Sequence, residues 1–119
     1  MATYAKSILS GSTDGRGILV AQTGTPGTTI HTGPTNTAHL HELWLYAVNY
    51  DTTDRKLTIQ WGGTTAGTDD VEYTVKAENG LYLIVPGLLL RGNATPLVVR
   101  AFAATATAIV IHGYIHTIT

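Results

Sequence analysis

Turn-forming residues punctuate this chain at intervals of about 8 to 12 residues, the spacing of a small all-β sandwich or barrel. Between them the apolar pattern follows a period of two, and no stretch carries the 3.6-residue period of an amphipathic helix. The densest stretch is His39–Thr65, HLHELWLYAVNYDTTDRKLTIQWGGTT. In its first half Leu40, Trp44, Tyr46 and Val48 alternate with Leu43, Leu45 and Ala47, so both faces of the predicted strand are apolar. A central strand covered on both sides is expected there. In its second half Leu57, Ile59 and Trp61 alternate with Lys56, Thr58 and Gln60, which predicts a half-buried strand with a polar outer face. Asp51–Asp54 between them is rich in side-chain oxygens that bond nearby backbone, and it predicts a hairpin joining the two.

The remaining strands fall at Tyr4–Leu9, Gly17–Gln22, Thr28–Thr32, Val71–Ala77, Leu81–Val85, Leu88–Leu90, Leu97–Ala103 and Ala108–Ile118. Pro86 and Gly87 are expected to end or bend the chain between two of these, and Glu78-Asn79-Gly80 to form a hairpin turn. Ala103–Ala108 reads as a loop, because its alternating threonines and brevity disfavour a helical turn. The expectation is an all-β chain, a single antiparallel β-sandwich or jelly roll of about eight to ten short strands. Residues 1–16 form an N-terminal arm or edge strand, and residues 17–119 the sandwich domain.

Composition narrows the function classes. A chain of 119 residues should fold with about 6,200 Å² of accessible surface against about 18,000 Å² unfolded, enough burial for one unstapled core. No cysteine is present, which removes disulfides, thiolate metal sites and a cysteine nucleophile. Seven Lys and Arg against eight Asp and Glu leave a net charge of -1, and the basic residues are dispersed. That argues against direct binding of nucleic acid, which favours a clustered positive surface. No apolar run reaches the roughly 18 to 20 residues that span a bilayer, and MATYAKSILSG has no secretory h-region. The chain reads as one made in the cytoplasm, without a membrane partner. With 13% charged and 44% hydrophobic residues, some of its surface is expected to be covered by another chain.

Candidate chemistry is sparse. His39 and His41 leave one strand face about 6.6 Å apart, close enough to hold one ion, whereas His112 and His116 are roughly 13 Å apart and cannot. The plainer reading places all of them at strand ends or interfaces, with no metal and no cofactor. Asp51, Asp54, Asp69 and Asp70 invite a calcium reading, but no loop has EF-hand spacing, and solvated loop acids are the simpler account. GSTDGRG and GGTTAG lack the GK[ST] of a phosphate loop. Ser7, Ser10 and Ser12 are the only serines, none in a GxSxG elbow. Glu42 shares a face with Leu40 and Trp44, where burial would raise its pKa, and is expected to pair with Arg55, Lys56 or Arg100 or to face a subunit boundary. Catalysis would need a second positioned group, which the sequence does not name, so the chain is read as a non-enzyme. Trp44, Trp61, Tyr46, Tyr50, Tyr73, Tyr82 and Tyr114 are enough aromatics for a sugar platform, though sandwich cores use such residues more often.

Taken together, LHELWLYAVNYDTTDRKLTIQWGGTT at 40–65, KAENGLYLIVPGLLL at 76–90 and LVVRAFAATATAIVIHGYIHTI at 97–118 resemble small all-β virion proteins of tailed bacteriophages, the capsid decoration or cement type. The resemblance runs from about Leu40 onward, and residues 1–37 take no part in it. It implies a structural virion protein, a homotrimer on the outer capsid that binds the major capsid protein where capsomers meet and steadies the head. The interface candidates on that reading are Glu42, Trp44, Trp61, His112, Tyr114 and His116. A tail, neck or fibre-base protein is the nearest alternative, and a carbohydrate-binding sandwich module is the alternative of a different class.

Overall fold

The computed structural model describes residues 2–119, and no helix forms among them. The strands are β1 (Tyr4–Ile8), β2 (Ile18–Leu19), β3 (Thr28–Thr32), β4 (Leu40–Asn49), β5 (Arg55–Trp61), β6 (Asp70–Val75), β7 (Tyr82–Arg91), β8 (Val98–Ala103) and β9 (Ile109–Ile118). They build two antiparallel sheets. The first has the order β1-β9-β4-β7, with β2 also paired to β9, and the second has the order β3-β8-β5-β6. Apart from β1 to β2 and the β5–β6 hairpin, every connection passes from one sheet to the other. That winding is the jelly roll, one of the two architectures expected.

The core lies between the sheets. Leu43, Leu45 and Ala47 of β4 and Ile109, Ile111 and Ile115 of β9 meet Leu57 and Ile59 of β5 and Val99 and Ala101 of β8. Each fully buried Leu, Ile or Val contributes about 1.5–3 kcal/mol relative to exposure, which offsets the ordering of so loop-rich a chain. The accessible surface is 6274 Å², close to the ~6,200 Å² expected for a chain of this mass.

Four local expectations are corrected. β4 and β5 do not form a hairpin, because they lie in different sheets. β4 is paired along its length with the equally long β7 and β9, so the Asp51–Asp54 segment turns a corner between sheets. Asn49 fastens that corner, its Nδ2 donating to the carbonyls of Thr53 and Val75 at 2.9 Å each. Glu78-Asn79-Gly80 likewise joins strands of different sheets, with Glu78 and Gly80 at positive φ. The two segments around Pro86-Gly87 are one strand, β7, whose register shifts between Leu43 and Trp44 of its partner and again between Leu45 and Tyr46. Bulges at an edge strand absorb a proline that a central strand would not accept. Finally, Thr58 and Gln60 are buried although their face was expected to be polar and open. The Gln60 side chain accepts from Gly27 N at 2.8 Å and donates to Thr25 Oγ1 at 2.9 Å, so the 23–27 loop covers that face.

β1 is an edge strand, in register with β9 from Tyr4 opposite Ile118 to Ile8 opposite Tyr114. Directly after it Leu9 is buried and Gly11 N donates to Ile30 O, which carries the chain across to the second sheet. β4 is central, as expected, but only its inner face is covered. Leu40, Glu42, Trp44, Tyr46 and Val48 on its outer face stay partly open.

Candidate functional site

The outer face of the first sheet gathers most of the chemistry. Because β4 and β9 run antiparallel, their outward residues form directly opposed pairs: Leu40 with Ile118, Glu42 with His116, Trp44 with Tyr114 and Tyr46 with His112. β1 and β7 extend the rows, placing Lys6 beside His116 and Leu89 beside Glu42. Opposed pairs on one sheet face are the closest side-chain neighbours a sheet offers, so this register alone assembles a cluster.

Within it, Glu42 Oε1 accepts two hydrogen bonds, from Trp44 Nε1 at 2.8 Å and from His116 Nδ1 at 2.7 Å. The Trp44 N–H, and after it His116, hold the Glu42 carboxyl below the usual glutamate range. A carboxylate bonded to Nδ1 fixes the His116 tautomer and turns Nε2 outward. Trp44 and Tyr114 have parallel rings, 8° apart in plane with centroids 6.2 Å apart, and the Tyr114 ring meets the edge of His116. Lys6 Nζ stands 5.4 Å from the Tyr114 ring centroid, within cation–π reach. Gly87 on β7 lies under the indole: a Cβ there would come within 2.8 Å of Trp44 Cζ2. Gly113 on β9 makes similar room, since its Cβ would meet the Trp44 carbonyl oxygen at 2.1 Å.

The six interface candidates therefore divide. Glu42, Trp44, Tyr114 and His116 are in mutual contact. His112 shares their face, one pair further along opposite Tyr46 and close to Gly17. Trp61 is on β5 of the other sheet, packed against the core. The expected cationic partners of Glu42 are engaged elsewhere or distant. Arg55 pairs with Asp51 at 2.6 Å and Lys56 with Glu72 at 2.9 Å, while Arg100 is opposite Gln60 on the second sheet. His116, four residues along a strand from His112, was not expected in that role. Strand register, which the sequence does not state, is what supplies it.

The histidine candidates are also redistributed. His41 points inward, and its Nδ1 lies 2.8 Å from Nε2 of His31 on β3. His31 Nδ1 accepts from Ser10 N at 3.0 Å, so its proton sits on Nε2 and is donated to His41. Burial, helped by His41, lowers the pKa of His31 to about 4. Burial and then His39 lower that of His41. His39 lies just outside β4, near enough to be felt by His41 but taking no part in this hydrogen-bond chain. Among the described residues no group of three or more His, Asp or Glu is arranged to hold a metal ion.

The loop acids serve the backbone. Asp51 Oδ1 accepts from Thr52 N, Asp54 Oδ1 from Ala77 N and Asp69 Oδ2 from Thr65 N, at 2.7, 2.8 and 2.9 Å. In a depression of about 290 Å³ between Tyr50, Asp51 and Thr105–Ala108, Tyr50 donates to the Thr107 carbonyl and Asp51 accepts from Arg55. No family model, no curated protein and no solved structure matches this chain.

Proposed function

We propose that the protein is a structural virion protein of a tailed bacteriophage, decorating the outside of the head as a homo-oligomer, most simply a trimer. The observation that carries this reading is the free edge of the first sheet. β7 is ten residues long and, among the described residues, has no neighbour on one side. It exposes Tyr82, Leu83, Leu88 and Leu89 by 41%, 37%, 46% and 50%, directly after Leu81 at 56%. A long apolar edge with unpaired N–H and C=O groups invites another chain, and although Pro86 and two bulges interrupt this edge at its middle, the apolar residues on either side of them have no charge to keep a partner away. Here the only charged residue in β7 is its last, Arg91.

In this role the work is mechanical. Copies joined through β7 present identical weak contacts to a repeating shell, and linked contacts add up to strong attachment. The major capsid protein is the partner, and the capsid surface the location, reached after synthesis in the host cytoplasm. The low proportion of charged residues and the resemblance of segments 40–65, 76–90 and 97–118 to small virion proteins support the same reading. Cosedimentation tests it: the purified chain should pellet with empty heads of its phage and not with free tails. Pelleting with tails alone would move the protein to the tail or neck, and pelleting with neither would overturn the proposal.

A further inference from the structure

We propose that Asn79 is a site of spontaneous deamidation, in which the backbone nitrogen of Gly80 displaces the side-chain amide and a carboxylate is left at the head of β7. This goes beyond head decoration, and only its consequence for assembly rests on that reading.

Four asparagines are present, at 36, 49, 79 and 93, and Asn79 is the one followed by glycine. Hydrogen bonding separates it from the others a second time. Asn36 Oδ1 accepts from Ala38 N at 2.9 Å, and Asn93 Oδ1 from Thr95 N at 3.1 Å. Asn49 is buried, donating to the carbonyls of Thr53 and Val75 and accepting from Asp51 N. The Asn79 amide makes no hydrogen bond among the described residues, and neither does the Gly80 N–H. Both residues are exposed. The chain is held just before them, where Ala77 N donates to Asp54 Oδ1 and Glu78 N to Asn49 O, and just after them, where Tyr82 pairs with Ala47. Between those anchors the amide carbon is free to turn onto the next nitrogen. Gly80 brings no side chain to block it, and the space around it is open, with no atom within 4 Å of where a Cβ would stand.

The step needs only water. Gly80 N bonds to Asn79 Cγ and gives up its proton, the Cγ–Nδ2 bond breaks, and ammonia departs, leaving a succinimide ring. Water then opens the ring. Attack at Cγ gives aspartate in an ordinary main chain, whereas attack at the backbone carbonyl carbon routes the chain through Cβ and Cγ as isoaspartate. Either product adds a negative charge beside Leu81 and Tyr82, and isoaspartate also lengthens the backbone by one carbon. Charge is what the β7 edge lacks before Arg91, and charge on an open edge opposes strand addition. Modified chains therefore associate less well than fresh ones.

The test incubates the purified chain at 37 °C and pH 8 and digests it, beside a fresh sample, with trypsin. Cleavage after Lys76 and Arg91 releases 77–91, in which Asn79 is the single asparagine. That peptide is expected to gain about one dalton, NH2 exchanged for OH, and to become a substrate for isoaspartyl methyltransferase. Peptides holding Asn36, Asn49 and Asn93 should keep their mass, and Asn79→Gln should abolish the gain over the same interval. No gain at 77–91, or an equal gain at another asparagine, would overturn the assignment. Sedimentation equilibrium then compares fresh chains with Asn79→Asp, which is expected to associate severalfold more weakly. Equal association would overturn the consequence for assembly. A fresh chain that is already monomeric would overturn the β7 reading itself, while the mass result still decides the modification.

Discussion

Acidifying the protein from pH 7 to pH 5 should cost it about 2 kcal/mol of stability through one side chain, His31. That residue is 2% exposed, its Nδ1 accepts the Ser10 N–H and its Nε2–H is donated to His41, so both ring nitrogens are committed in the neutral form. Protonation would set an Nδ1–H against the Ser10 N–H and place a charge in the core. The folded pKa is accordingly lowered from 6.5 to about 4. Between those values the unfolded chain binds the proton and the folded chain does not, so stability rises with pH. It is fully present above about pH 6.5, is lost as pH falls through about 4, and then levels off. The full shift corresponds to about 3 kcal/mol, of which the step from pH 7 to pH 5 contains about 2 kcal/mol. His41, lowered by burial and by His39, adds in the same direction. Glu42, Asp51 and Asp54 are also lowered, from ordinary carboxylate values of 4.5 and 3.8, which puts their losses at more acid pH. Urea denaturation at pH 7, 6 and 5 measures the slope. His31→Gln should be less stable at pH 7 and should lose most of the dependence. Equal stability at pH 7 and pH 5, or an undiminished slope in His31→Gln, would overturn this role of His31.

Three further outcomes follow from particular contacts. Gly87→Ala should destabilise by about 1–2 kcal/mol and shift Trp44 fluorescence, because φ at Gly87 is +80° and the new methyl would sit 2.8 Å from Cζ2; thermal unfolding and emission spectra check it. Gln60→Ala removes the partners of Gly27 N and Thr25 Oγ1 in a buried place and should cost about 2–3 kcal/mol, with faster proteolysis in the 23–27 loop. Leu89→Lys on the β7 edge should leave the circular dichroism spectrum unchanged while lowering the sedimentation coefficient, since a lysine on an open edge opposes strand addition.

What could be read from residues alone was the local alternation. The period-two patterns of β4 and β5 and the loop at 103–108 follow from side-chain chemistry within a few residues. Partnership between strands was not legible in the same way. A central strand such as β4 is apolar whether its neighbour is β5 or β9, so the polar corner at Asp51–Asp54 looked like a hairpin turn. Gln60 looked outward because a buried glutamine differs from an exposed one only in what a distant loop offers it. The cluster of Glu42, Trp44, Tyr114 and His116 was visible as four separate candidates. Only the β4–β9 register, set by residues about seventy apart, brings them into one cluster and leaves Trp61 on the other sheet. Lys6 and His31 carried no local signal at all, since each matters through a strand paired from far along the chain.

On the proposed reading, the apolar β7 edge receives another copy of the chain. Sedimentation equilibrium on the purified chain decides this. The expected result is a homo-oligomer, most simply three times the 12.6 kDa of one chain, that dissociates when Leu89 is replaced by Lys. A particle of 12.6 kDa at every concentration would contradict the claim.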